Sequence, residues 1–125
     1  MKLASVRLVT DDLPALRAFY SALTDTEPVT PFGPDDYAEL HTEGGIIALA
    51  TSAGIKRFNN AAAVAAANRS AILEFEVDDV DAERVRLRDR VTEWVQEPTT
   101  QPWGNRSMLF RDPDGNLINV YSTAR

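Results

Sequence analysis

The sequence predicts an α+β domain made of two similar βαβββ modules, and three observations carry that prediction. Leu3 to Thr10 alternates, is rich in β-branched residues, and runs into Asp11-Asp12. Apolar residues then recur at helical spacing: Leu13, Leu16, Phe19, Tyr20 and Leu23. The second half repeats the pattern, with strand-like Ile72 to Val77, then Asp78-Asp79, then Val80, Ala82, Val85 and Leu87. The module ends also align, with Gly44, Ile46, Ile47, Ala48 and Leu49 lying over Gly115, Leu117, Ile118, Asn119 and Val120. Shared beginnings and shared endings point to a duplication.

Each element has a local reason. Aspartate before a helical run accepts a hydrogen bond from a backbone N–H of the first turn, so Asp12 and Asp79 are the expected N-caps. Pro14 falls early in its helix, where a missing N–H costs little. Between each helix and module end there is room for two more strands. These are expected at about Glu27 to Phe32 and Tyr37 to His41 in the first module, and Val91 to Val95 and Arg106 to Phe110 in the second. Asn59 to Asn68 is alanine-rich and helix-prone by propensity. The expected organisation is one domain over residues 1–125. Module 1 covers about 1–57, a linker helix about 58–69, and module 2 about 70–125.

Composition excludes several functions. The chain has 125 residues and a net charge of −6, which disfavours nucleic acid and anionic membranes as partners. It has no cysteine, so disulfides and thiolate chemistry are absent. No apolar run approaches the roughly 20 residues of a membrane span. No signal peptide is expected, and the expected location is cytoplasmic. Neither a glycine-rich phosphate loop nor a Gly-x-Ser-x-Gly elbow occurs.

The segment Asp112-Pro113-Asp114-Gly115-Asn116 is dense turn chemistry between two apolar alternating runs, and reads as a hairpin. Together with LVTDDLPALRAFY and FEVDDVDA, the closing RDPDGNLINVY resembles the vicinal oxygen chelate superfamily, the glyoxalase/bleomycin-resistance fold. The resemblance covers nearly the whole chain. It implies a curled mixed sheet around a cleft, helices on the outer face, and frequent homodimers. It also implies four cleft positions for metal ligands, which here hold Ser5, Ala48, Ile72 and Asn119. Divalent transition metals favour imidazole or ionised carboxylate. Two of these side chains have no donor atom and two are neutral, so no metal site and no cofactor are expected.

Strand parity places Arg7 and Glu74 on the cleft face at duplicate-equivalent positions, either paired with each other or orienting a ligand. Asn119 and Tyr121 share that face. Trp103 beside Gly104, with Arg106, and the aromatic residues Tyr37 and Trp94 complete the candidate ligand-binding set. Phe32 and Phe58 are further aromatic candidates for a pocket wall, and His41 reads as a surface or pairing residue. No catalytic residue is assigned. The resemblance and the missing ligands favour a metal-free small-molecule binding protein of the bleomycin-resistance type, a homodimer holding an aromatic or cationic ligand. The alternative is a glyoxalase-like lyase, isomerase or dioxygenase-related enzyme with a non-standard active site.

Overall fold

Aspartate capping organises both halves of the fold. In the computed structural model, which describes residues 1–124, the Asp12 and Asp79 carboxylates each accept from the backbone N–H three residues on, at 3.1 Å. They start helices α1 (Leu13–Thr24) and α3 (Val80–Arg86). Between them, Thr51 caps α2 (Ser52–Phe58) through a bond from the Gly54 N–H at 3.1 Å. The strands are β1 (Ser5–Thr10), β2 (Tyr37–His41), β3 (Ile46–Thr51), β4 (Ile72–Glu76), β5 (Glu93–Thr100), β6 (Arg106–Arg111) and β7 (Leu117–Ser122).

The chain divides into two units, residues 1–67 and 68–125. The first holds a sheet of order β1-β3-β2, and the second a sheet of order β4-β7-β6-β5. The duplication is visible in the register. β1 runs parallel to β3 with Ser5 opposite Ile46, and β4 runs parallel to β7 with Ile72 opposite Leu117. In the first unit, Leu13, Leu16, Phe19, Tyr20 and Leu23 of α1 are buried with Leu40, Ile47 and Leu49. In the second, Val80 and Leu87 are buried with Met108, Phe110, Ile118 and Val120.

Four expectations need correction. The strand expected over Glu27 to Phe32 is reduced to a bridge between Val29 and Glu39, whose two backbone bonds are each 2.8 Å. Pro28 and Pro31 flank Val29 and cannot donate to a ladder. The first unit is therefore βαββ. The second strand of the second unit, β5, runs from Glu93 to Thr100, later and longer than Val91 to Val95. It tolerates Pro98 because it is an edge strand whose register shifts between Gln96 and Thr99.

The linker helix expected over 58–69 is also displaced. Helix α2 ends at Phe58, and residues 59–71 form turns and bends. Asn60, Ala61 and Ala66 take positive φ, near +55°. Alanine propensity alone does not sustain a short helix without an apolar face to bury. Finally, the parity that puts Arg7 on the cleft face puts Val6 beneath α1, whereas Val6 is 38% exposed. Helix α1 lies on β2 and β3, leaving β1 at the sheet edge.

Candidate functional site

In the first unit the cross-strand registers assemble one face from three rows. Arg7 lies opposite Ala48, which lies opposite Glu39. Val9, Ala50 and Tyr37 form the next row, and Ser5, Ile46 and His41 the one before. Alternation along Tyr37-Ala38-Glu39-Leu40-His41 sends Ala38 and Leu40 into the core and the three polar side chains to this face.

Those three side chains are hydrogen-bonded to one another. The Tyr37 hydroxyl donates to Glu39 Oε2 at 2.6 Å, and His41 Nε2 lies 2.8 Å from Glu39 Oε1. Burial, and next the bond to Glu39, pushes the Tyr37 phenol up to about 12, so it stays protonated and donating. The bonds from Tyr37 and then His41 hold the Glu39 carboxyl below its ordinary range, so it stays ionised.

Beside this row an open groove of about 570 Å³ is lined by Arg7, Phe32, Asp36, Tyr37, Ala50, Gly54, Ile55, Arg57, Phe58 and Asn59. A neighbouring groove of about 600 Å³ shares Arg7, Ile55, Phe58 and Asn59 and continues along Asn60, Ala62 and Ala63. Phe32 is 85% exposed and Phe58 72%. The Phe32 ring is tilted against Tyr37 with centroids 5.8 Å apart, and the Arg57 guanidinium carbon lies 5.4 Å from the Phe58 ring centroid. Asp36 Oδ1 accepts from the Thr51 hydroxyl at 3.2 Å.

The second unit uses the equivalent face differently. Glu74 lies opposite Asn119, and Asn119 Nδ2 donates to Glu74 Oε2 at 2.8 Å. Tyr121, half-buried, lies one row further along, opposite Glu76. Trp103 is 70% exposed in the turn before β6.

Arg106 and Trp94 are not on that face. Arg106 shares its parity with buried Met108 and Phe110, and binds Asp81 of α3 through two bonds, 2.7 and 2.9 Å. That bond holds the Asp81 carboxyl below its usual range. Trp94 meets Phe110 edge-on at 5.3 Å and lies under Arg84, whose guanidinium carbon is 3.7 Å from the ring centroid. Arg84 in turn binds Glu97 at 2.7 and 2.9 Å.

Of the expected ligand-binding set, Arg7 and Tyr37 therefore share a groove in the first unit. Glu74, Asn119 and Tyr121 share a face in the second. Trp103 stands apart in a turn, and Trp94 and Arg106 belong to the helix side. Arg57, Asn59 and the Tyr37–Glu39–His41 row were missed as a constellation. The alternation of polar residues in YAELH was the available signal for the row. The four metal-ligand positions hold Ser5 and Ala48 in one unit and Ile72 and Asn119 in the other, a donor set unsuited to a transition metal. Among the described residues, no group of three or more His, Cys, Asp or Glu could hold an ion.

A family model for the glyoxalase/bleomycin resistance protein/dioxygenase superfamily matches residues 2–120. The chain belongs to this superfamily. A relative in Bacillus subtilis, the uncharacterized protein YraH, is 28% identical over 97% of this chain and 98% of its own length. The superfamily fold recurs in a solved glyoxalase/bleomycin resistance protein/dioxygenase from Nocardioides. That structure is 25% identical, with a TM-score of 0.80, and the match covers 100% of this chain and 85% of that one. A family enzyme from Burkholderia phytofirmans reaches a TM-score of 0.83 at 16% identity, over 98% of both chains. No helix among the described residues is long and apolar enough to cross a membrane.

Proposed function

We propose that the protein is a metal-free small-molecule binding protein of the bleomycin-resistance type, holding its ligand without chemical change. The observation that carries this reading is the groove of about 570 Å³ beside Arg7 and Tyr37. Its size falls within the range of about 300–1,000 Å³ usual for small-molecule sites, and it combines exposed aromatic rings with a few polar groups. The superfamily's metal-assisted reactions use the ion as Lewis acid or oxygen site, and the residues at the four ligand positions do not fit one. Membership of a superfamily whose members often bind small molecules and pair supports a homodimer as the working form.

Two measurements test the reading. Calorimetric titration with a panel of planar aromatic compounds is expected to give saturable binding to the folded protein. Elemental analysis of protein purified without chelators is expected to find no stoichiometric transition metal. A panel with no binder, or one equivalent of a metal that resists dialysis, would overturn it.

A further inference from the structure

We propose that the groove of the first unit selects planar aromatic anions, a carboxylate or sulfonate on a ring, over cations. The inference rests on the small-molecule reading above and assigns the ligand's charge. It follows from which polar groups at the groove are already engaged.

The acids already accept hydrogen bonds from within the unit. Both Glu39 oxygens are engaged by Tyr37 and His41, and Asp36 is bonded to Thr51. The Tyr37 proton is committed to Glu39. The cations have no ion pair among the described residues of their unit. Arg7 and Arg57 line the groove, and neither forms a side-chain hydrogen bond or ion pair with the described residues of its own unit. A guanidinium presents a planar fork of N–H donors that matches a carboxylate or sulfonate, with bonds stronger than neutral ones. A cationic ligand would meet two like charges, Arg7 and Arg57, and one lining carboxylate, Asp36, that already accepts from Thr51. The aromatic part of the ligand has partners in Phe32 and Phe58, whose rings are largely bare to solvent. The chain's net charge of −6 does not decide the question, because exposed charges beyond a Debye length of about 8 Å are largely screened.

The test uses three probes with one ring system: naphthoate, naphthol and naphthylmethylammonium, titrated calorimetrically into the full-length protein. Naphthoate is expected to bind roughly tenfold more tightly than naphthol, with the ammonium weakest. Arg7→Gln is expected to bring the naphthoate-to-naphthol affinity ratio from about ten down to about one. Arg7→Lys should restore part of it, since charge returns without the fork. Circular dichroism checks that each variant is folded. Preference for the ammonium, or an equal loss of all three probes in Arg7→Gln, overturns the charge assignment and leaves small-molecule binding standing. Failure of all three to bind folded wild-type protein overturns the binding reading and this inference with it.

Discussion

The two units share a plan and spend their arginines differently. In the second unit Arg84 is held by Glu97 over Trp94, Arg106 by Asp81, and Arg111 by the Gly115 carbonyl at 2.9 Å. In the first, Arg7 and Arg57 face an open groove. The strand count differs in parallel. The second unit completes four strands, with Pro98 absorbed at an edge bulge. The first stops at three, because Pro28 and Pro31 leave only Val29 to pair. The segment that fails to become a strand delivers Phe32 to the groove lining. In a duplicated fold, one copy can carry rigidity while the other loses regular structure where a ligand is to enter. Under the proposed binding function, that division assigns polar groups of the second unit to stability and those of the first to binding.

The largest expected effect falls on the closing hairpin of the second unit. Buried Asp112 accepts from the N–H groups of Asp114 and Asn116 and from Asn116 Nδ2, at 2.7–2.9 Å. Asp112→Ala is expected to cost about 3 kcal/mol in chemical denaturation, because it strips the acceptor from three donors, two of them buried. A cost near zero would break the assignment of this unit to stability.

Gly104→Ala comes next. Its φ of +103° strains any L side chain, and a Cβ there meets the Ala124 Cβ at 2.8 Å. A loss of about 1–2 kcal/mol is expected by the same measurement.

Tyr37 links stability to alkaline pH. Its pKa rises from 10.0 to about 12 on folding. A raised folded value contributes stability that is complete below the unfolded pKa and disappears as pH rises through the folded one. Wild-type protein is therefore expected to lose stability between pH 10 and about 12. Tyr37→Phe should make that decline shallower, with the phenolate absorbance showing one tyrosine fewer titrating late.

The smallest effect sharpens the comparison most. Arg7→Gln is expected to change stability by less than about 0.5 kcal/mol, as befits an exposed side chain without an ion pair in its unit. A loss above about 2 kcal/mol would make Arg7 structural and the two units alike.

Much of this arrangement was legible in the sequence. The paired caps at Asp12 and Asp79, the module-end alignment and the closing hairpin all reflect local chemistry that tertiary contacts reinforce. Arg7 lies on the face that a strand's two-residue period assigns it, and Tyr37, readable only as an aromatic candidate, lies on the same face one row along. Arg106 was misplaced although its parity with Met108 and Phe110 was readable, because the neighbouring Trp103-Gly104 turn drew it toward a ligand role. Trp94 lies just before the first register shift of β5, and bulges spoil alternation. The linker misled because alanine content measures propensity, whereas the turns at Asn60, Ala61 and Ala66 follow from an absence of anything to bury. Arg57 and Asn59 lie at a helix end whose position only the Thr51 cap reveals.

The most direct test of the central claim is residue-resolved. Backbone amide shifts of isotopically labelled protein, followed by NMR during titration with naphthoate, report where the ligand sits. Shifts concentrated at Arg7, Tyr37, Ala50, Gly54 and Phe58 are predicted. Shifts concentrated instead at Glu74, Asn119 and Tyr121, with the first unit unmoved, would contradict the account.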